Sequence, residues 1–222
     1  MDIPIAPLLE MISTYLWPFV RIAAAVMVMP VLGGSFTPAR VKMLLALGLT
    51  LVIAPVLPAS PPLELMSMNG AVLLAREMMI GVAIGFVVQI VFDAIALGGQ
   101  VISMPMGLGF AVSLDRQNGV NIPVLGQFFM MLGMLIFLSL DGHLAVIELL
   151  AESFRLLPLT GSGLSRNAVS GLLTWSSQVF VVAAKIALPA VTALLIVNLS
   201  FGVMSRAAPT LNLFAIGFPV GT

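Results

Sequence analysis

Charged residues fall singly or in pairs between long apolar runs. Stretches without any charge cover residues 43–63, 78–92, 94–114, 117–140, 167–184, 186–205 and 207–222. Several reach the roughly 20 residues that cross a bilayer core as a helix. Backbone groups in lipid must pair internally, which favours helices over open strands. The apolar positions are rich in Leu, Ala and Met, good helix formers. Short segments of alternating polarity are missing, so a β-barrel fits poorly. The pattern predicts helices over residues 8–29, 39–57, 70–103, 124–140, 143–157 and 166–204. The breaks fall at Gly33–Pro38, Pro58–Pro62, Pro158–Gly163 and Ser205–Pro209, where proline or glycine clusters interrupt the apolar pattern. The last stretch, 166–204, reads as one long helix or a helical pair, with a kink expected near Pro189.

Composition narrows the class. The chain has 222 residues, of which 60% are hydrophobic and 8% charged. A soluble domain carries about 25% charged residues. A water-soluble globule is therefore excluded, as are a disordered chain and a secreted disulfide scaffold. Nine basic and nine acidic residues cancel, so no net field recruits nucleic acid. Without cysteine there is no thiolate chemistry and no Cys-metal site. No Lys or Arg precedes Arg21, so the first apolar stretch reads as a retained helix rather than a signal peptide. No linker separates a second domain, and residues 1–222 read as one helical domain.

Arg21, Arg76, Glu77, Asp93 and Lys185 interrupt apolar helices. An ionised group at mid-bilayer depth costs about 2.5–3.5 kcal/mol, so each needs a partner, a wet cavity or a shallow position. Three readings follow. The charges form structural ion pairs between helices. Alternatively, Gln89, Asp93 and Gln100 share a helix face and line an ion or proton path, a thin relay with one acid. Or Arg21, Asp93 and Lys185 pair across subunit interfaces, where such pairs set register and partner choice. His143 stands alone, with no metal-ligand spacing around it, and reads as a hydrogen-bonding residue at the Asp141-Gly142 bend. No nucleophile lies at a readable spacing from a base, so no catalytic constellation is present. Gly81-Val82-Ala83-Ile84-Gly85 is a GxxxG that permits close helix approach, by itself a weak signal.

Residues 104–119 behave unlike a span. Pro105 and the glycines at 107, 109 and 119 disfavour helix, yet Met104, Met106, Leu108, Phe110 and Val112 are too apolar for a solvent loop. Irregular backbone at membrane depth belongs inside protein or along a cavity. Two readings are open: a buried connector that only packs, and an apolar plug of a pore. Met adapts its shape, and a ring of apolar groups blocks ions by dewetting.

Several ordered motifs resemble one family. They are Leu16-Trp17-Pro18-Phe19-Val20-Arg21-Ile22-Ala23, Pro38-Ala39-Arg40-Val41-Lys42, Arg76-Glu77 with the GxxxG, and Gly107-Leu108-Gly109-Phe110. Further along stand Pro123-Val124-Leu125-Gly126-Gln127-Phe128, Leu140-Asp141-Gly142-His143, Val197-Asn198-Leu199, Ser205-Arg206-Ala207-Ala208-Pro209 and Leu211-Asn212-Leu213-Phe214. No single motif is decisive, but their order along nearly the whole chain is similar to the FliR family of flagellar type III secretion export-gate proteins. That resemblance implies an all-α, helical-hairpin subunit resembling a fusion of the FliP and FliQ folds. It implies a non-enzymatic role without cofactors, in the bacterial inner membrane at the flagellar basal body. With FliP and FliQ, and an FlhB-type switch protein nearby, the subunit would form a channel for unfolded rod, hook and filament proteins, in an assembly lying largely above the usual membrane plane. The family's plug maps onto residues 104–119, with Met104, Met106, Gly107, Leu108, Gly109, Phe110, Ala111 and Val112 as its apolar part and Phe110 at the constriction. Arg206 matches a subunit-interface position. Family members usually continue beyond Gly217-Phe218-Pro219, whereas this sequence ends at Thr222. The competing reading is a small-solute or ion transporter with a midplane site at Gln89, Asp93, Gln100 and Lys185.

Overall fold

A computed structural model describes residues 5–30, 37–57, 67–107, 112–114, 121–161 and 163–207. The described chain is dominated by helices: α1 (Ile5–Val28), α2 (Ala39–Ile53) with a 3-10 turn at Ala54–Val56, α3 (Met68–Ser103), α4 (Val124–Ser139), α5 (Gly142–Leu156), α6 (Arg166–Ser176) and α7 (Gln178–Ala207). The predicted starts at Ala39, Val124 and Arg166 and the predicted end at Ser103 coincide with observed ones. Met11–Val28, Ala39–Val56, Met68–Ser103 and Arg166–Ala207 are long and apolar enough to cross a membrane, and the broken pair α4 and α5 would make a fifth span.

The residues group into two compact units, each discontinuous in sequence. The first takes Met1–Ile90 and Phe137–Ser176, the second Val91–Ile136 and Ser177–Thr222. Where one domain is expected from the lack of a linker, the division falls inside helices, between Ile90 and Val91 of α3 and between Ile136 and Phe137 of α4.

In the first unit α1 presents a stripe at helical spacing. Trp17, Arg21, Ile22, Ala25, Val26 and Met29 are all buried. The i, i+4 recurrence puts them on one seam. Trp17, Ile22 and Val26 pack with Ala46 and Ile53 from α2 and with Phe154 and Leu159. Ala25 and Met29 pack with Val146 and Leu150 of α5, flanked by Ile84, Val88 and Phe137. Thr50 is buried on α2, and its hydroxyl donates to the Ala46 carbonyl at 2.7 Å, which keeps the group satisfied. α2 gives way after Ile53 to the 3-10 turn that contains Pro55, which has no N–H to continue the ladder. Two helix starts are capped by serine side chains. The Gly70 N–H donates to Ser67 Oγ at 3.0 Å and the Ala168 N–H to Ser165 Oγ at 3.1 Å.

The second unit holds the end of α3, most of α4 and α7. A Cβ on Gly99 would lie 2.9 Å from the Leu125 carbonyl, and one on Gly126 would lie 3.0 Å from the Ala96 carbonyl. Two glycines therefore let α3 and α4 touch backbone to backbone. α3 ends in a turn in which the Gly107 N–H donates to the Met104 carbonyl at 3.1 Å and Gly107 has φ +76°. The region expected to be irregular also contains a short antiparallel pair, Val112–Leu114 with Asn121–Pro123, in which Val112 faces Pro123. Pro123 closes the second strand, where its missing N–H costs no inner ladder bond.

Near the C-terminal end the segment expected as one long helix or a helical pair is two helices that meet at Ser177. Pro189 lies inside α7, which runs through it. Ser176 instead turns its hydroxyl to the Leu173 carbonyl at 2.6 Å, and the Phe180 N–H donates to the Ser177 carbonyl at 3.2 Å. Serine side chains that bond local carbonyls compete with the helical ladder, which accounts for a break at a serine pair.

Candidate functional site

The charges that the sequence places on apolar helices have different fates. In the first unit, Arg21 lies on the inward seam of α1 and is fully buried, as is Glu77 of α3. Arg21 Nε donates to Glu77 Oε2 at 2.7 Å. Arg21 Nη1 donates to the Ser153 carbonyl at 2.9 Å and to Ser153 Oγ at 3.2 Å, and Nη2 donates to the Leu157 carbonyl at 2.8 Å. The guanidinium also stands over the Phe154 ring, 4.1 Å from its centre, a favourable place for a desolvated cation. Every part of the group is used within its own chain. This is the structural-pair reading of the sequence.

The GxxxG explains how Glu77 reaches Arg21. Glu77, Gly81 and Gly85 recur at i, i+4 along one face of α3. A Cβ on Gly81 would lie 2.2 Å from the Arg21 carbonyl oxygen and 2.8 Å from Ala24 Cβ, and one on Gly85 would lie 2.6 Å from the Ala25 carbonyl. Only glycines allow α3 to lie this close to α1, and that contact brings the carboxylate one turn earlier to the guanidinium.

Arg76 completes the cluster. It donates through Nη1 to the Gly161 carbonyl and through Nη2 to the Leu159 carbonyl, with Glu77 Oε1 3.4 Å away. Two guanidiniums thus face one carboxylate. The remaining positive charge meets the carbonyl-bearing end of α5 and the turn after it, the negative end of a helix dipole. Sequence reasoning finds the charged members but misses these carbonyl acceptors. The signal available is the Arg76-Glu77 doublet beside an Arg on an inward stripe. His143 does not make the hydrogen bond expected at the bend. Its Nδ1 is buried without a partner among the described residues, while Asp141 adopts φ +56° without a side-chain cap bond.

Other charges stay at the surface of the described chain. Asp93, Lys185 and Arg206 are exposed, while Gln89 and Gln100 are half-buried. Gln89 belongs to the first unit, and Asp93, Gln100, Lys185 and Arg206 belong to the second. No group of three or more acidic or histidine residues capable of holding a metal occurs among the described residues.

Of the expected plug, Met104 is exposed, Met106 is half-buried and Gly107 is exposed. Val112 begins the first strand. Leu108, Gly109, Phe110 and Ala111 lie outside the described residues.

The uncovered apolar surface is the other prominent feature. In the apolar window of residues 11–28, 44% of positions are buried, but in the 18-residue apolar window within Arg166–Ala207 only 11% are. Phe180 is 70% exposed and Leu199 71%. At about 25 cal/mol per Å² of apolar area, a face of this kind is not stable in water.

The sequence pattern described as "Bacterial export proteins, family 1" matches residues 12–222. The chain is 39% identical over 212 residues to the flagellar biosynthetic protein FliR of Escherichia coli (strain K12), covering 96% of this chain and 81% of that protein. It is 38% identical over 209 residues to the protein of that name from Pectobacterium carotovorum subsp. carotovorum, covering 94% and 80%. Identity to the one from Buchnera aphidicola subsp. Schizaphis graminum is 32% over 210 residues, covering 95% and 81%. The apolar helices, the intramembrane ion cluster and these similarities agree: the chain belongs to the bacterial export protein family 1, the family of the flagellar FliR proteins.

Proposed function

We propose that this chain is a non-enzymatic subunit of the flagellar type III export gate. As a member of its family it is a component of the flagellar export apparatus with apolar helices suited to a membrane. The finer reading places it in the bacterial inner membrane at the basal body. There it joins FliP and FliQ, with an FlhB-type switch protein, in a channel that passes unfolded rod, hook and filament subunits. The supporting observation is the nearly bare apolar run Arg166–Ala207, which calls for protein or lipid cover. Lys185 and Arg206 are exposed charges on that run, placed to pair across subunit contacts, and Asp93 on α3, also exposed, is assigned to the same contacts in this reading. The internal partners of Arg21 favour a structural role for it over an interfacial one.

Residues 104–119 act as the plug in this reading. Met104, Met106, Gly107, Leu108, Gly109, Phe110, Ala111 and Val112 supply an adaptable apolar seal, and the glycines let it move aside. The test is ion conductance of membranes carrying the assembled complex. Deleting residues 107–110, or replacing Phe110 by Gly, raises resting conductance while leaving assembly intact. Unchanged conductance in a correctly assembled variant removes the plug.

A further inference from the structure

α7 divides into two sides. Toward its own unit it turns Ala183, Ala187, Ala190 and Leu194, which recur at i, i+4, i+7 and i+11 and are buried or half-buried. Ile186 lies beside them, and a Cβ on Gly98 of α3 would come 3.0 Å from its Cγ2. A second row holds Lys185, Leu188, Thr192, Leu195, Leu199 and Arg206, all exposed. At about 100° per residue the two rows lie on nearly opposite sides of the helix. With Gly202, the outer row keeps the alternating three- and four-residue spacing of a coiled-coil seam from its first cation to its last. We infer that this seam binds one helix of a different polypeptide, an apolar helix with a carboxylate near each end of the contact, set to meet Lys185 and Arg206.

Charge selects the occupant. Lys185 and Arg206 are the only charged residues of α7, and both are positive. Among the described residues no ion pair engages either. They stand 21 positions apart, about 31 Å along the axis, with an apolar centre in which Leu188 and Leu195 are each 59% exposed. α7 runs unbroken through Pro189, so the seam is continuous. A cation on such a seam fixes register, because only one alignment of the facing helix supplies both counter-charges. A second copy of this chain is the wrong occupant. In parallel, two such seams set lysine against lysine and arginine against arginine; in antiparallel, each lysine nears the other copy's arginine. Like charges in contact exclude both pairings. Small residues favour a helix over an acyl chain. A Cβ on Gly202 would meet nothing within 4 Å, and with Thr192 it leaves room for a facing backbone to come close.

The inference deepens the export-gate reading and rests on it for the presence of a neighbouring helix. The experiment places photo-cross-linking residues at Leu188 and Leu199 of the full chain in native membranes and maps the adducts to residues. Both adducts are expected on one apolar helix of another polypeptide, which carries Asp or Glu within a turn of the points facing Lys185 and Arg206. Lys185→Glu should then lower recovery of that polypeptide about tenfold, and changing its mapped acid to Lys should restore it. Lys185 is exposed, so the variant should melt with the parent chain; if it does not, the mapped adducts decide alone. Adducts on a second copy of this chain, adducts on lipid alone, or a facing helix without the two acids would each overturn the seam. Adducts on an export subunit that lacks those acids end the seam and leave the export-gate reading. Adducts on an acid-bearing helix from outside the flagellar export apparatus end that reading and leave the seam.

Discussion

The buried cluster of the first unit and the α7 helix of the second deal with intramembrane charge in opposite ways. Around Arg21, every nitrogen has a partner within the chain, from one carboxylate, one hydroxyl and two carbonyls, and the group stands over an aromatic face. Along α7, Lys185 and Arg206 stand on a helix whose own unit buries only Ala183 and Ala187. A charge enclosed by its own chain fixes that chain's helix register. A charge on an unclothed apolar helix is, in the proposed reading, paired by a neighbouring subunit. The contrast separates what this polypeptide builds alone from what it leaves to an assembly.

The largest expected effect comes from unmaking the cluster. Glu77→Ala leaves the fully buried Arg21 guanidinium, with the partly buried Arg76 near it, without an anion, and removing one partner of a buried pair costs about 3–5 kcal/mol. Thermal unfolding in detergent should show the loss, and protein abundance in cells should fall. A melting temperature within a degree of the parent would mean that Arg21 and Arg76 are held by their carbonyl acceptors alone.

Next comes the helix contact that presents Glu77. Gly81→Val inserts a branched side chain where a single Cβ already falls 2.2 Å from the Arg21 carbonyl. Overpacking of this kind costs about 1–3 kcal/mol, and here it also draws the carboxylate away from its cation. Gly48→Val is the comparison, because a Cβ there meets nothing within 4 Å. Equal loss at the two sites would show that helix propensity, not the α1–α3 approach, sets the cost.

The smallest effect on the isolated chain is at Arg206. Exposed substitutions usually stay within about 0.5 kcal/mol, so Arg206→Glu should leave the melting curve in place. Recovery of export-gate partners with the chain should nevertheless drop. Normal co-purification alongside normal stability would take Arg206 out of the interface.

Much of the helical frame was legible because proline and glycine clusters sit at its breaks. The starts at Ala39, Val124 and Arg166 and the end at Ser103 are readable from charge spacing and turn residues. The break at Ser177 was not, because serine competes with the helix through local hydrogen bonds that carry no period. The pair Val112–Leu114 with Asn121–Pro123 escaped for a similar reason: three residues cannot show an alternation. The ion cluster was half-readable. Arg21, Arg76 and Glu77 announce themselves as charges on apolar helices, but Arg21 meets Ser153 and Leu157 across 132 and 136 positions, and backbone carbonyls have no sequence signature. The GxxxG, weak as a motif, gains its meaning only from the carbonyl of Arg21 lying opposite.

A photo-cross-linking residue at Leu195, 59% exposed on α7, probes the cover of that helix in native membranes. Adducts with other export-gate subunits are expected, and they should disappear when those subunits are deleted. Adducts with lipid alone, from a chain extracted as a monomer, would show that the bare face of α7 belongs to the bilayer and not to a shared conduit.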